Sequence, residues 1–227
     1  MHSHDFWIRG EPATFATKAE RAWKETIRQT VPQGQSCCQR GGILLDFRVQ
    51  SSHRGGQPFD IDNMCDPVFS VVINQLGWFG SRRPNMRWFL ASRSIEMPSG
   101  CNVRLEQGDA PEFRPDGRRI MFRDVYTGPL PKGGTAPELP AWLAGLPGVS
   151  SAGSEDVGIR LSFAGAKVNL GDIATGVVKS TIDCLYPLFG GTASAPDDWK
   201  VDSLQCEKGA VDAPFDGVLI EVWSGGS

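Results

Sequence analysis

A six-residue pattern occurs twice in this chain and constrains its fold more than any other feature. Residues 42–47 and 158–163 share Gly, Ile, Leu and Phe at the same four positions. Both segments alternate apolar and polar residues over part of their length, as is typical of a β-strand with one buried face. The recurrence predicts two similar units in one polypeptide.

The surroundings of this pattern also recur. Ala22-Trp23 reappears as Ala141-Trp142, and the strand-like residues 6–9 match 120–123. Apolar residues three and four apart predict a helix after each strand, with Asp62 and Asp172 at the helix starts. The predicted helices cover 62–76 and 172–185, and the strand-like segments that follow cover 86–97, 101–106, 199–206 and 217–223.

Each half therefore reads strand, helix, strand, helix, strand, strand. We predict an α+β fold of two tandem units, 1–112 and 113–227, which meet in the breaker-rich segment 108–117. Tandem duplication explains the shared order and register, and the alternative is a chance similarity between two α+β units.

Composition excludes several classes of protein. The 227 residues are 40% hydrophobic and 22% charged, which is ordinary for a globular protein and unlike a disordered or collagen-like chain. No apolar run approaches the ~20 residues of a membrane helix, and the first residues do not form a secretory signal. We therefore expect a cytoplasmic protein. None of the six cysteines forms a C-x-x-C pair, which favours reduced thiols over a zinc site.

An arginine-rich stretch is the candidate surface for nucleic acid. Between positions 82 and 123 there are nine arginines and five acidic residues. Such a local excess can face phosphates, with Arg82, Arg83 and Arg87 as the predicted contacts, or it can be a solvated surface with scattered ion pairs. Trp78, just before Arg82-Arg83, either stacks on an unpaired base or packs in the core.

The densest polar cluster is Asp60-Ile61-Asp62-Asn63. On an extended backbone the two carboxylates point the same way and can share Mg²⁺, which prefers oxygen ligands and activates water for attack on a phosphodiester. The alternative is that these residues cap the following helix.

The order of these motifs resembles the RusA family of Holliday-junction resolvases. The resembling features are a strand that ends in Gly10-Glu11-Pro12, a second strand, and the D-x-D-N motif that opens a helix. In the second half, residues 179–185 match the family's K-x-x-x-D-x-L helix, and Asp197-Asp198 match its acidic pair before a strand.

The resemblance implies small units, each a mixed sheet with helices on one side, that act as homodimers on branched DNA in recombination and repair. It implies Mg²⁺ as cofactor, Asp60 and Asp62 as metal ligands, and a catalytic role for these two residues and Lys179. A chain of this length would be a fused pseudo-dimer, with further protein partners possible.

Neither half carries the complete family pattern. In the first, the lysine position falls on Asp66 or Ser70, and Arg82-Arg83 stand where the acidic pair is expected. In the second, Asn169 and Gly171 replace the first two aspartates. Lys179 and Asp183, four residues apart, are also the pattern of a simple ion pair on an exposed helix face.

Three functions follow as hypotheses. The first is a Mg²⁺-dependent, structure-selective endodeoxyribonuclease. The second is a catalytically inactive nucleic-acid-binding or assembly subunit that retains the scaffold. The third is a protein-interaction module without nucleic acid, which the net charge of −3 suggests.

Overall fold

The computed structural model describes nine segments of the chain. These are residues 3–34, 41–51, 53–54, 57–80, 85–115, 117–153, 155–164, 168–209 and 217–225. The chain divides into two compact units, Met1–Pro111 and Glu112–Ser227. Both contain helices and strands, so the predicted α+β class is confirmed.

The described residues of unit 1 form six strands and two α-helices. In chain order they are β1 (Ser3–Arg9), α1 (Glu20–Thr30), β2 (Gly41–Val49), β3 (His53–Arg54), β4 (Gln57–Pro58), α2 (Ile61–Phe69), β5 (Met86–Ile95) and β6 (Gly100–Gln107). Helix α2 continues directly into a π-helix, Ser70–Gln75. The predicted helix 62–76 is therefore present, but its second half is a π-helix instead of an α-helix.

Unit 2 has the same succession of main elements. They are β7 (Arg118–Tyr126), α3 (Glu138–Ala144), β8 (Val157–Phe163), α4 (Val177–Cys184), α5 (Tyr186–Phe189), the two-residue strands β9 (Gly191–Thr192) and β10 (Ala195–Pro196), a 3₁₀ turn (Asp198–Lys200), β11 (Val201–Lys208) and β12 (Val218–Gly225). The predicted start of the second helix at Asp172 is wrong: α4 begins at Val177, with Gly176 as its N-cap.

The two units order their strands alike. In unit 1 the order is β1-β6-β2-β5, and in unit 2 it is β7-β12-β8-β11. In unit 1, β6 pairs antiparallel with both β1 and β2, and β2 pairs parallel with β5. In unit 2, β12 pairs antiparallel with both β7 and β8, and β8 pairs parallel with β11. Each sheet is therefore mixed.

The helices of unit 1 lie on one face of its sheet. The crossovers β1-α1-β2 and β2-α2-β5 both advance in the same direction across the strand order. Right-handed crossovers that advance in one direction place their helices on the same face, and α1 does pack against α2. In unit 2, α3 likewise contacts α4 and α5.

The core of unit 1 lies between this helical layer and the sheet. Along β2, Ile43, Leu45 and Phe47 are at most 2% exposed, while Leu44 and Asp46 on the opposite face are partly exposed. This alternation confirms the prediction of a strand with one buried face. In unit 2, β8 is buried at every position except Arg160.

Two further features of the fold bear on the sequence predictions. Among the described residues, no helix is long and apolar enough to cross a membrane. Four of the cysteines, Cys65, Cys101, Cys184 and Cys206, are buried and carry free thiols. Cys37 and Cys38 lie outside the described residues.

Candidate functional site

The acidic motif lies at the junction between the central strand of unit 1 and its second helix. Asp60 is the N-cap of α2 with an extended backbone, and the helix begins at Ile61. The extended backbone that the sequence interpretation assumed is present at Asp60 but not at Asp62, which lies in the first helical turn. Asp60 is partly exposed, whereas Asp62 is 1% exposed.

Asp60 also has a local partner. The Asn63 side-chain amide donates a hydrogen bond to Asp60 Oδ2 at 2.8 Å. The next contact comes from the segment after β1, where Phe15 N–H donates to Asn63 O at 2.9 Å. These contacts fix Asn63 from two directions, so the D-x-D-N motif sits on an ordered helix start.

The motif supplies the kind and number of protein ligands that Mg²⁺ commonly takes. Mg²⁺ is often bound by one or two carboxylates and completes its coordination with water and substrate phosphate. Asp60 and Asp62 are two such carboxylates. Among the described residues, no group of three or more His, Cys, Asp or Glu side chains is arranged to hold a metal ion. A cation at Asp60 and Asp62 would therefore take its remaining ligands from water or from a substrate.

Of the three arginines predicted to contact nucleic acid, Arg87 is the one that the structure describes. Arg82 and Arg83 lie outside the described residues. Arg87 is the extra residue of a β-bulge in β5, because Gly41 pairs with Met86 and Gly42 with Trp88. A bulge redirects its extra side chain out of the regular alternation of the strand. Arg87 is partly buried at this bulge.

Most of the other arginines in the stretch pair with carboxylates. Arg114 contacts Glu112 at 2.6 Å and Arg123 contacts Glu221 at 3.1 Å. Arg118 binds Asp202 through two nitrogens, and these hydrogen bonds raise the pKa of Arg118. For these residues the interpretation as scattered ion pairs is confirmed.

Lys179 of unit 2 lies between two carboxylates. Its Nζ is 2.9 Å from Asp183 Oδ1 and 2.5 Å from Asp198 Oδ2. The ion pair with Asp183 is confirmed, but its expected exposed position is wrong: the Lys179 and Asp183 side chains are 19% and 17% exposed. Asp198 is 7% exposed.

The other member of the acidic pair has its own lysine. Lys200 Nζ donates to Asp197 Oδ2 at 2.8 Å and to the main-chain oxygens of Gly153 and Phe189 at 2.7 and 2.9 Å. Both carboxylates of the pair are therefore engaged by lysines. Asp172 accepts a hydrogen bond from Thr175 Oγ1 at 2.7 Å, ahead of α4 rather than on it.

One residue near the acidic motif was missed by the sequence analysis. Arg93 on β5 donates a hydrogen bond from Nη1 to the main-chain oxygen of Phe59, the residue before Asp60. The sequence feature that could have identified Arg93 is that both units have a basic residue opposite the phenylalanine of the repeated pattern. Arg93 pairs in register with Phe47, and Lys208 pairs with Phe163, the matching residue of the repeated pattern.

Trp78 is a core residue. It is 1% exposed, and its indole N–H donates to Pro32 O at 3.0 Å. The core interpretation of Trp78 is confirmed, and stacking on a base is excluded in this conformation.

The chain matches no protein-family model, and no curated protein or solved structure matches it.

Proposed function

We propose that this chain is a nucleic-acid-directed protein built from two tandem RusA-like units, and that unit 1 is a Mg²⁺-dependent endonuclease site for branched DNA. Asp60 and Asp62 are the metal ligands in this proposal. Bound Mg²⁺ would polarise a phosphodiester and lower the pKa of attacking water. Arg82, Arg83 and Arg87 contact phosphates.

The convergence of two motifs in unit 2 supports the RusA-like scaffold, and the observation that carries the nuclease proposal is the position of Asp60 and Asp62 at the start of α2 in unit 1. The K-x-x-x-D-x-L helix and the acidic pair are separate segments, yet Lys179 and Asp198 are in direct contact at 2.5 Å. A functional relationship between these motifs requires such proximity. The common strand order of the two units supports their origin by duplication.

Unit 1 is the half that can act on a phosphodiester. It keeps both aspartates of the acidic motif at the start of the crossover helix, next to the carboxyl ends of β2 and β5. Unit 2 has Asn169 and Gly171 at those positions, and its remaining carboxylates of the later pair are bound to lysines.

A second candidate function is a catalytically inactive nucleic-acid-binding or assembly subunit. The observation that favours it is the neutralisation of Asp197 by Lys200 and of Asp198 by Lys179. Carboxylates that are paired with lysines inside a fold can have a purely structural role, because removal of either partner leaves an uncompensated buried charge.

Cleavage of a labelled four-way DNA junction separates the two functions. Wild type, Asp60→Asn and Asp62→Asn are compared in Mg²⁺, in Ca²⁺ and in chelator, with linear duplex as the control substrate. Asp109→Asn, an exposed aspartate outside the motif, is the matched control variant.

The proposed nuclease cuts the junction in Mg²⁺ and loses the activity in both motif variants but not in Asp109→Asn. Binding without cleavage, unchanged in the motif variants, identifies the inactive subunit. Absence of junction binding at low salt contradicts both and favours a protein-interaction module.

A further inference from the structure

Arg93 lies where the sheet of unit 1 meets the acidic motif. It pairs in register with Phe47 near the end of β5. From there its guanidinium reaches the loop that enters α2 and donates to the main-chain oxygen of Phe59. The donor and acceptor belong to different elements, so this bond fastens the loop to the strand.

The fastened peptide is the one that carries Asp60. Phe59 is 3% exposed and Asp60 is the helix N-cap. With Phe59 O bound to Arg93 and Asp60 Oδ2 bound to Asn63, the backbone before Asp60 and its side chain each have a fixed partner. When the backbone and the side chain of an aspartate each have a fixed hydrogen-bond partner, its carboxylate needs little reorganisation to bind a cation.

Arg93 also places a positive charge beside the acidic motif. A guanidinium donates through a planar fork and keeps its charge at all ordinary pH values. Lys208 holds the corresponding register position in unit 2, so both sheets place a basic residue there.

We infer that Arg93 is a positioning residue for the divalent cation of unit 1: it holds the Phe59–Asp60 peptide so that the Asp60 carboxylate is oriented toward the metal. This inference rests on the proposed function, because it presupposes a cation at Asp60 and Asp62. It adds a residue outside the motif on which metal affinity depends.

The test measures Mn²⁺ affinity and thermal stability of the full chain. The variants are Arg93→Met, which removes the hydrogen-bond donor to Phe59 O, and Arg93→Lys, which keeps the positive charge but lacks the planar guanidinium. Arg104→Gln removes an arginine from β6 of the same sheet, where Arg104 pairs with the exposed Asp5, and serves as the control. Amide hydrogen exchange across residues 59–64 reports the order of the loop.

The expected result is a Mn²⁺ dissociation constant raised about 10- to 100-fold in Arg93→Met, as for other residues that orient metal ligands. Arg93→Lys recovers part of the affinity, exchange at residues 59–64 rises in Arg93→Met, and Arg104→Gln matches wild type.

Two other results overturn the inference in different ways. If wild type binds Mn²⁺ and Arg93→Met binds it equally well, even with a lowered melting temperature, Arg93 is only a structural contact and the proposed function stands. If wild type does not bind Mn²⁺, the cation site itself is absent and both proposals fail.

Discussion

Lys179 Nζ lies 2.5 Å from Asp198 Oδ2, and this contact ties α4 to the turn that leads into β11. The partner carboxylate is buried, with Asp198 7% exposed. The pair therefore belongs to the interior of unit 2 and has consequences for stability that a surface pair would not have.

Lys179→Met is expected to lower the free energy of unfolding by about 2–4 kcal/mol, since it leaves a buried carboxylate without its cation. Urea denaturation measures the change. Lys24→Met is the control, because Lys24 and Glu20 form an i,i+4 helix pair with the same side-chain exposures, 19% and 17%. It should cost only about 0.5 kcal/mol. Equal losses in both variants would contradict an interior role for Lys179.

Cys184 makes the stability of unit 2 sensitive to alkaline pH. Burial raises the pKa of its thiol from an ordinary value of 9.0 to about 11, and the adjacent Asp183 carboxylate adds to the increase. Between these two values the unfolded chain loses the proton that the folded chain keeps. Stability is therefore full below pH 9 and declines toward pH 11.

Cys184→Ala is expected to flatten this alkaline decline, whatever its effect at neutral pH. Thermal unfolding from pH 7 to 11 checks the slope. A variant with the wild-type slope would show that the thiol does not contribute to the pH dependence.

Trp78→Phe is expected to destabilise unit 1 by about 1–2 kcal/mol, because the change removes the hydrogen bond to Pro32 O from a buried site. The affinity of the folded variant for single-stranded DNA should not change. Denaturation and fluorescence anisotropy measure the two quantities. Wild-type stability combined with weakened DNA binding would restore the stacking interpretation.

The glycine that both copies of the repeated pattern share should be harder to replace in unit 1 than in unit 2. A Cβ on Gly42 would overlap the indole and the main-chain oxygen of Trp88, whereas a Cβ on Gly158 would meet Pro115 Cγ at 2.7 Å. A main-chain atom within a sheet cannot move aside, but a proline ring at the edge of a loop can. Gly42→Ala should therefore lower the melting temperature more than Gly158→Ala, and the reverse order would contradict this account.

The proposed contacts between arginines and phosphates predict how the affinity for DNA depends on salt concentration. If Arg82 and Arg83 neutralise phosphates, the double change to Gln lowers the slope of log affinity against log salt by about 1.8 on duplex DNA, or 0.9 for each contact. Arg87→Gln lowers it by about 0.9. Arg114→Gln, which disrupts the exposed pair with Glu112, is the control and should leave the slope unchanged.

Local patterns predicted the main strands and helices of this fold, but not α5 or the two-residue strands. The alternation along 42–47 and the helical spacing within 62–76 arise from burial on one face, which the sequence records directly. The predicted start of α4 was five residues too early, because the sequence pattern of an acidic residue in a turn is the same as that of a helix N-cap. Asp172 instead bonds to Thr175 within that turn.

Contacts distant in sequence account for what was missed at the site. The i,i+4 spacing of Lys179 and Asp183 predicts their ion pair but gives no information about Asp198, which the return of the chain to β11 brings alongside. The bond from Arg93 to Phe59 likewise depends on the register between β2 and β5. The alternation along a strand specifies which side chains face the core, but it does not identify which residues of a distant strand lie opposite them.

The placement of the last strand of each unit bears on how the protein is made. β6 inserts between β1 and β2, and β12 inserts between β7 and β8. A nascent unit 1 on the ribosome cannot close its sheet until Gln107 has left the exit tunnel, and until then β1 and β2 expose unpaired edges to other chains. A chaperone that shields those edges during translation would act on this incomplete state of unit 1.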